Sequence, residues 1–462
     1  MIQIIDKKIE EYTDSIIADT VKLVRINSEQ GKPMPNAPFG EGPRKVLDTV
    51  LEMGEKAGFY IKDYGVGVIS VAMEETRPDL GIWLHGDVVP AGKGWIYPPF
   101  GATLYKGCII GRGATDNKGQ LSAIFNLFKI FREMNIKLRY NPALYVGSNE
   151  ETGMKDLVGI EGNPDARGFI HVCEVPRLSL VPDSGFPVGY GARGLTSFRI
   201  RSKTPLHGFS FAAGQSDNPG LATAVFHTLD FPDVLPDCIV EKAENTTVTS
   251  FSAPGHSADP DPNGNMITKL TLALLHSKAV KEEDRYILEF FKDISLDISG
   301  KMLGIYTESK RMKPTSVYAQ SVDFCDGFCE LLIKVRYPIE IAYEELQQKL
   351  SAYCESRGFT VAGEIGHMPY VNDDNMEMVN TLARIANCVT GDDAEPHITG
   401  NTYAHYLPNA YVYGMNGCMI PDDFPAGHGG AHGVDECVSV ERLKRAMRIY
   451  ARALLELNNM EW

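Results

Sequence analysis

The sequence has no apolar run approaching the about 20 residues that a membrane-spanning helix needs, so no spanning segment is expected. It has no surplus of base either. Lys and Arg total 45 against 60 Asp and Glu, a net charge of −15. Phosphate recognition needs clustered Lys and Arg, which excludes nucleic acid and anionic membranes as main partners. An acidic surface of this kind serves solubility. A disulfide framework is also missing. Nine cysteines are scattered along the chain, and the closest pair, Cys325 and Cys329, has no second pair to complete a zinc ribbon. They are expected to be reduced thiols. The opening stretch MIQIIDKKIEEYTDSII carries charge too early for a secretory signal, and the cytoplasm is the expected compartment.

What is present is a chain of 462 residues, 44% apolar and 23% charged, enough for a large core and more than one domain. Ile5, Ile9, Tyr12, Ile16, Val21 and Val24 recur at helical spacing and predict one entry helix over residues 4–27. Residues 44–57 read as a second helix and 59–72 as a hairpin punctuated by Gly65 and Gly67. Residues 95–101, WIYPPFG, read as a rigid loop because proline sets φ, with a wall of the site as the functional alternative. The stretch 119–134 is a helix with Leu121, Ile124, Phe125, Phe128 and Phe131 on one face. Short strands are expected ending at His85 and over 143–147, 169–173 and 178–181. Strands alternating with helices predict an α/β fold, a doubly wound and mostly parallel sheet with helices on both faces.

After a glycine-rich stretch, residues 185–194, the pattern changes. Strands at 196–201, 246–251, 316–323 and 330–337, with helices at 267–277, 283–292 and 343–357, read as an inserted α+β domain. From about residue 368 the α/β pattern returns, with helices at 376–390 and 440–457 around a strand at 410–413. The expected organisation is a discontinuous first domain, 1–187 and 368–462, interrupted by an insert at 188–367.

Polar residues gather where apolar runs end. Ile82-Trp83-Leu84 breaks into His85-Gly86-Asp87, and positions i and i+2 of a strand share a face. His85 and Asp87 therefore point into one site at the carboxyl end of a strand, where open α/β sheets bind ligands. A carboxylate so placed can accept the free N–H of a metal-bound imidazole and fix its tautomer. Asp116 sits in Gly113-Ala114-Thr115-Asp116-Asn117-Lys118-Gly119, a loop leading into a helix. Glu150-Glu151 follows the strand at 143–147, Asp183 follows that at 178–181, and His432 lies in a glycine-rich stretch ending Gly433-Val434-Asp435-Glu436.

In this order the set resembles the di-zinc peptidase family of aminoacylases, glutamate carboxypeptidases and dipeptidases. Its length makes it most similar to the bacterial dipeptidase V (PepV)-like branch. The resemblance runs through HGDVVP, the G-x-x-D-x-K-G loop, the Glu pair and the late His. It implies a catalytic domain of zinc-exopeptidase type with the insert as a lid. It also implies two Zn²⁺ per chain, with Asp116 bridging, His85 and Asp183 on one ion, and Glu151 and His432 on the other. Mn²⁺ or Co²⁺ suit the same nitrogen and oxygen ligands. Glu150 is then free to act as general base, with Asp87 orienting His85.

His256 lies in SAPGHSADP followed by Gly264-Asn265, which resembles the family's lid motif, although Ser252 stands for a glycine and Ala258 for a serine. The resemblance gives His256 the role of donor to the scissile carbonyl oxygen. It gives Arg336 the substrate's terminal carboxylate, a task suited to its fork. Asn218, Gly400 and Thr402 are implied as further substrate contacts. His428 is a second candidate ligand, but His432 is preferred because the residues after it fit the motif. A long insert implies a monomer whose lid acts in cis. The implied reaction is hydrolysis of dipeptides or similar short peptides. An amidohydrolase acting on N-acyl amino acids is the alternative. A non-catalytic binding protein is disfavoured, since all five ligands and Glu150 are present.

Overall fold

The computed structural model describes residues 1–160, 162–163, 166–215, 218–252, 257–258, 260–261, 263–277, 279–415 and 420–462, with residues 218 and 219 described by backbone alone. The chain divides into two compact units, Met1–Gly191 with Asn372–Trp462, and Ala192–Val371.

The first unit is built on a sheet whose strands run in the order Tyr60–Asp63, Ile69–Ala72, Pro142–Gly147, Leu80–His85, Leu178–Val181, Ala410–Val412 and Gly189–Ala192. The four strands from Pro142–Gly147 to Ala410–Val412 are parallel, and antiparallel neighbours flank them. Their near-continuous burial is what a parallel sheet covered on both faces demands. Side chains alternate across it. Leu80, Ile82, Leu84, Leu144, Val146, Leu178 and Leu180 join the main core with the helices Lys118–Glu133, Met376–Thr390 and Val440–Leu457. The opposite face carries Trp83 and Tyr145, stacked with centroids 4.3 Å apart, with Phe169 edge-on to both.

Two expectations are corrected here. The predicted single entry helix is two, Ile2–Glu11 and Thr13–Val24, meeting at Tyr12 with φ −86° and ψ 3°, where the Thr13 hydroxyl turns back to the Glu10 carbonyl at 2.8 Å and offers that carbonyl an alternative to a main-chain partner. The predicted strand at 169–173 is one helical turn, Phe169–Val172. Burial of Phe169 against Trp83, not β-branched propensity, decides that segment.

The second unit is an antiparallel sheet in the order Cys238–Lys242, Thr246–Phe251, Asn218–Phe226, Phe209–Gln215, Ser316–Cys325, Phe328–Tyr337, Gly194–Ser202 and Phe359–His367. Its strands show the alternation of a one-sided sheet. In Phe328–Tyr337, residues Cys329, Leu331, Ile333, Val335 and Tyr337 are buried, while Glu330, Lys334 and Arg336 are on the other face. The helices Met266–His276, Glu282–Leu296 and Tyr343–Glu355 close the core. Asn265 caps the first of them through the N–H groups of Ile267 and Thr268. No helix among the described residues is long and apolar enough to cross a membrane.

Candidate metal centre

Parallel register assembles the centre. His85 pairs with Gly147, so the strands Leu80–His85 and Pro142–Gly147 end level with one another. The loops beyond them carry Asp87 and the Glu150-Glu151 pair. On the other side Leu178–Val181 delivers Asp183 two residues past its end. Asp116 precedes the helix Lys118–Glu133, reached through Gly113 at φ +86°, a conformation that suits glycine. His432 comes from the loop before the strand Cys437–Ser439.

These side chains meet. The two oxygens of Asp116 face different imidazoles: Oδ1 is 3.0 Å from His85 Nε2 and Oδ2 is 3.2 Å from His432 Nε2. His432 Nε2 is also 3.1 Å from Glu151 Oε1, and His85 Nε2 is 3.9 Å from Asp183 Oδ2. Ligand atoms of His85, Glu150 and Asp183 lie within 4.8 Å of one another, as do those of His85, Asp116 and Glu151.

The electrostatics are those of a site crowded with negative charge. Burial, then Asp183, Glu151 and Asp116, push the Glu150 carboxyl well above its ordinary range against the pull of His85. Burial and the Asp116 and Glu151 charges raise Asp183 to about 7. Burial opposes ionisation of Asp116 too, but hydrogen bonds from His432 and His85 outweigh it and hold that carboxyl well below the usual range. Burial lowers and Asp116 raises the His85 imidazole, and the carboxylates win. Hydrogen bonds to Asp116 and Glu151 lift His432 to about 10. Two imidazoles and four carboxylates gathered in this way form a donor set that divalent cations fit, since the ions supply the positive charge the cluster is short of.

Asp87 is placed differently from the sequence expectation in one respect. His85 Nδ1 is 3.0 Å from the backbone carbonyl of Asp87 and 3.6 Å from its carboxylate. The carboxylate instead accepts the main-chain N–H groups of Glu150 and Glu151, each at 3.1 Å, one per oxygen. The i, i+2 spacing turns the residue's own carbonyl towards the ring and frees the carboxylate to hold the neighbouring loop. A second buried carboxylate continues this pattern. Asp156 Oδ2 accepts the N–H groups of Ser148 at 2.7 Å and Asn149 at 3.0 Å, and the Tyr403 hydroxyl at 2.6 Å. Four successive amides of the Glu loop are thus tied to two carboxylates. Gly147 permits this approach, because a β-carbon there would collide with Tyr403 and Asp156. The sequence does not point to Asp156, since an Asp in MKDL carries no distinguishing neighbour.

His428 Nδ1 is 2.6 Å from Asp435 Oδ2, and the Asp435 carboxylate also accepts the N–H groups of Ile96 and Tyr97, pinning the proline-rich loop. The Thr402 hydroxyl accepts the Ala404 N–H, capping a short 3₁₀ turn, and Gly400 is exposed. In the second unit, Arg336 Nε donates to Ser257 Oγ at 3.0 Å. Asn218 opens a strand, and its side chain lies outside the described residues, as does all of His256.

The model of Peptidase family M20/M25/M40 matches residues 82–456. A Staphylococcus haemolyticus protein whose name provisionally assigns it dipeptidase activity is 28% identical, over 98% of this chain and 98% of its own. The structure of human carnosine dipeptidase 1 shares the fold with a TM-score of 0.60 at 15% identity, covering 99% of both chains. A Bacillus subtilis structure described as a dinuclear metal-binding peptidase from the M20 family aligns with a TM-score of 0.51 at 10% identity, over 98% of this chain and 100% of that one. The family match begins on the strand that carries His85 and ends in the last helix, and the chain belongs to peptidase family M20/M25/M40.

Proposed function

We propose that this peptidase is a metal-dependent dipeptidase working through two divalent cations. The observation that carries this is the Asp116 carboxylate with one oxygen against each of two imidazoles. His85, Asp116 and Asp183 would hold one ion, and Asp116, Glu151 and His432 the other. Zinc suits this mixed set, and Mn²⁺ or Co²⁺ suit it too. When bound, such ions polarise a carbonyl and ease ionisation of water.

The chain's own groups do the rest. Glu150, whose carboxyl is pushed up by burial and by Asp183, is suited to take a proton from water and return it to the leaving amine nitrogen. Asp87 holds the main chain of Glu150 and of Glu151, one carboxylate oxygen to each N–H. Asn218, His256, Arg336, Gly400 and Thr402 are assigned to substrate by resemblance. Cys173, Cys238, Cys325, Cys329, Cys354 and Cys388 are thiols outside any disulfide, which supports a cytoplasmic setting.

Chelation is expected to abolish hydrolysis of a dipeptide panel, and Zn²⁺, Mn²⁺ or Co²⁺ to restore it. Full activity in metal-free protein would end this reading. N-acetyl amino acids in the same panel separate a dipeptidase from an amidohydrolase.

The chain is proposed to act as a monomer, with the inserted unit serving its own active centre. The test is to mix two inactive variants, Glu150→Ala and His256→Ala. No activity is expected to return on mixing. Recovery would show that the insert serves a second copy.

A further inference from the structure

The motif that identifies His432 ends in two acids, Asp435 and Glu436, and the proposed chemistry uses neither. Glu436 is completely buried and Arg112 is 2% exposed. Arg112 Nη1 donates to Glu436 Oε2 at 2.7 Å. The other oxygen, Oε1, accepts the N–H groups of Thr115 and Asp116, both at 2.9 Å. The other end of the fork, Arg112 Nη2, donates to the His432 carbonyl at 3.1 Å and reaches the Pro90 carbonyl at 3.4 Å. The guanidinium also lies over the Trp95 ring, 5.2 Å from its centroid.

One ion pair thus grips the main chain of both residues whose side chains meet at 3.2 Å, Asp116 Oδ2 and His432 Nε2. His432 itself has φ 61°, a left-handed conformation that few non-glycine residues adopt. Something must hold it there, and the bond from Arg112 to its carbonyl does. A buried ion pair is weak evidence for stability, because desolvation of both charges offsets their attraction. Its geometry here serves a different end.

We propose that Arg112 and Glu436 are positioning residues that set the span between Asp116 and His432, and so the affinity of the cation position shared by Asp116, Glu151 and His432. The inference rests on the two-metal reading above. Changing partners that orient metal ligands typically costs about 10–100-fold in affinity.

The test uses the full chain, stripped of metal and titrated with Zn²⁺ by equilibrium dialysis, beside thermal melting. Arg112→Lys keeps a cation beside Glu436, but a single ammonium lacks the fork that reaches His432. Glu436→Gln keeps an oxygen for the Thr115 and Asp116 amides and removes the charge. In each variant one of two zinc affinities is expected to fall about 10–100-fold while the other stays at the wild-type value. Should Glu436→Gln not fold, Arg112→Lys alone decides. A lowered melting temperature with both zinc affinities intact, or an equal fall in both, overturns the proposal. Wild-type protein that takes up no second zinc overturns the two-metal reading, and this one with it.

Discussion

Replacing Glu150 by glutamine is expected to lower kcat by about 10²–10⁴, the usual contribution of a general acid–base group, while both metals and most substrate affinity remain. The reasoning starts from the loop. Glu150 and Glu151 donate their N–H groups to different oxygens of Asp87, and their own ligand atoms group differently, Glu150 with His85 and Asp183, Glu151 with His85 and Asp116. Glu151 Oε1 meets His432 at 3.1 Å. Glu150 does not share that contact. Its carboxyl is held well above the ordinary range by burial and Asp183, which favours its taking up a proton. Glutamine preserves shape and a hydrogen-bonding oxygen but cannot take the proton. The structure also offers a rival assignment, since Glu150 has a ligand atom within 4.8 Å of those of His85 and Asp183. Metal content separates the two. Glu151→Gln should weaken one ion, with partial rescue by excess metal. If instead Glu150→Gln loses an ion and Glu151→Gln keeps both, the roles are exchanged.

The sequence made the α/β class and the grouping of chemical residues legible for a physical reason. Parallel strands such as Leu80–His85, Pro142–Gly147 and Leu178–Val181 are buried throughout and mostly apolar, and they stop at the site, so the polar residue that ends or follows each run marks its position. Helices with one long apolar face, such as Lys118–Glu133, were equally plain. The strand Phe209–Gln215 was not. Its FSFAAGQ is rich in small residues, and its identity comes from antiparallel pairing with Asn218–Phe226. The helical turn at Phe169–Val172 has a similar cause, a ring contact with Trp83 that no local pattern encodes. Within the site, sequence spacing brought out side chains aimed at the cluster but missed those that act on main chain. Asp156 and Arg112 are of that second kind: Asp156 accepts loop amides and Arg112 donates to a carbonyl. The link from Tyr403 to Asp156 joins residues 247 positions apart, a separation at which periodicity is silent.

Asp116→Ala is expected to remove more metal than any other single ligand change, and to take hydrolysis below detection. Each of its oxygens faces a different imidazole, at 3.0 and 3.2 Å, so its loss strips a donor from both proposed ion positions at once. Asp183→Ala and His432→Ala each touch one position. They should leave one ion bound tightly and weaken the second. The fold should tolerate the change, because Asp116 is also held by its main chain: the amide donates to Glu436 at 2.9 Å whatever the side chain. Alanine also relieves the crowding that lifts Asp183 to about 7, where burial and then the Asp116 charge are the raising causes. Loss of metal therefore should not come with loss of structure. Elemental analysis after dialysis against trace Zn²⁺, with a thermal melt on the same samples, measures both. An Asp116→Ala chain that melts near the wild-type temperature and carries no tightly bound ion is the expected result. One that still holds two ions at wild-type affinity would remove Asp116 from the bridging position and return the two imidazoles to separate, independent sites.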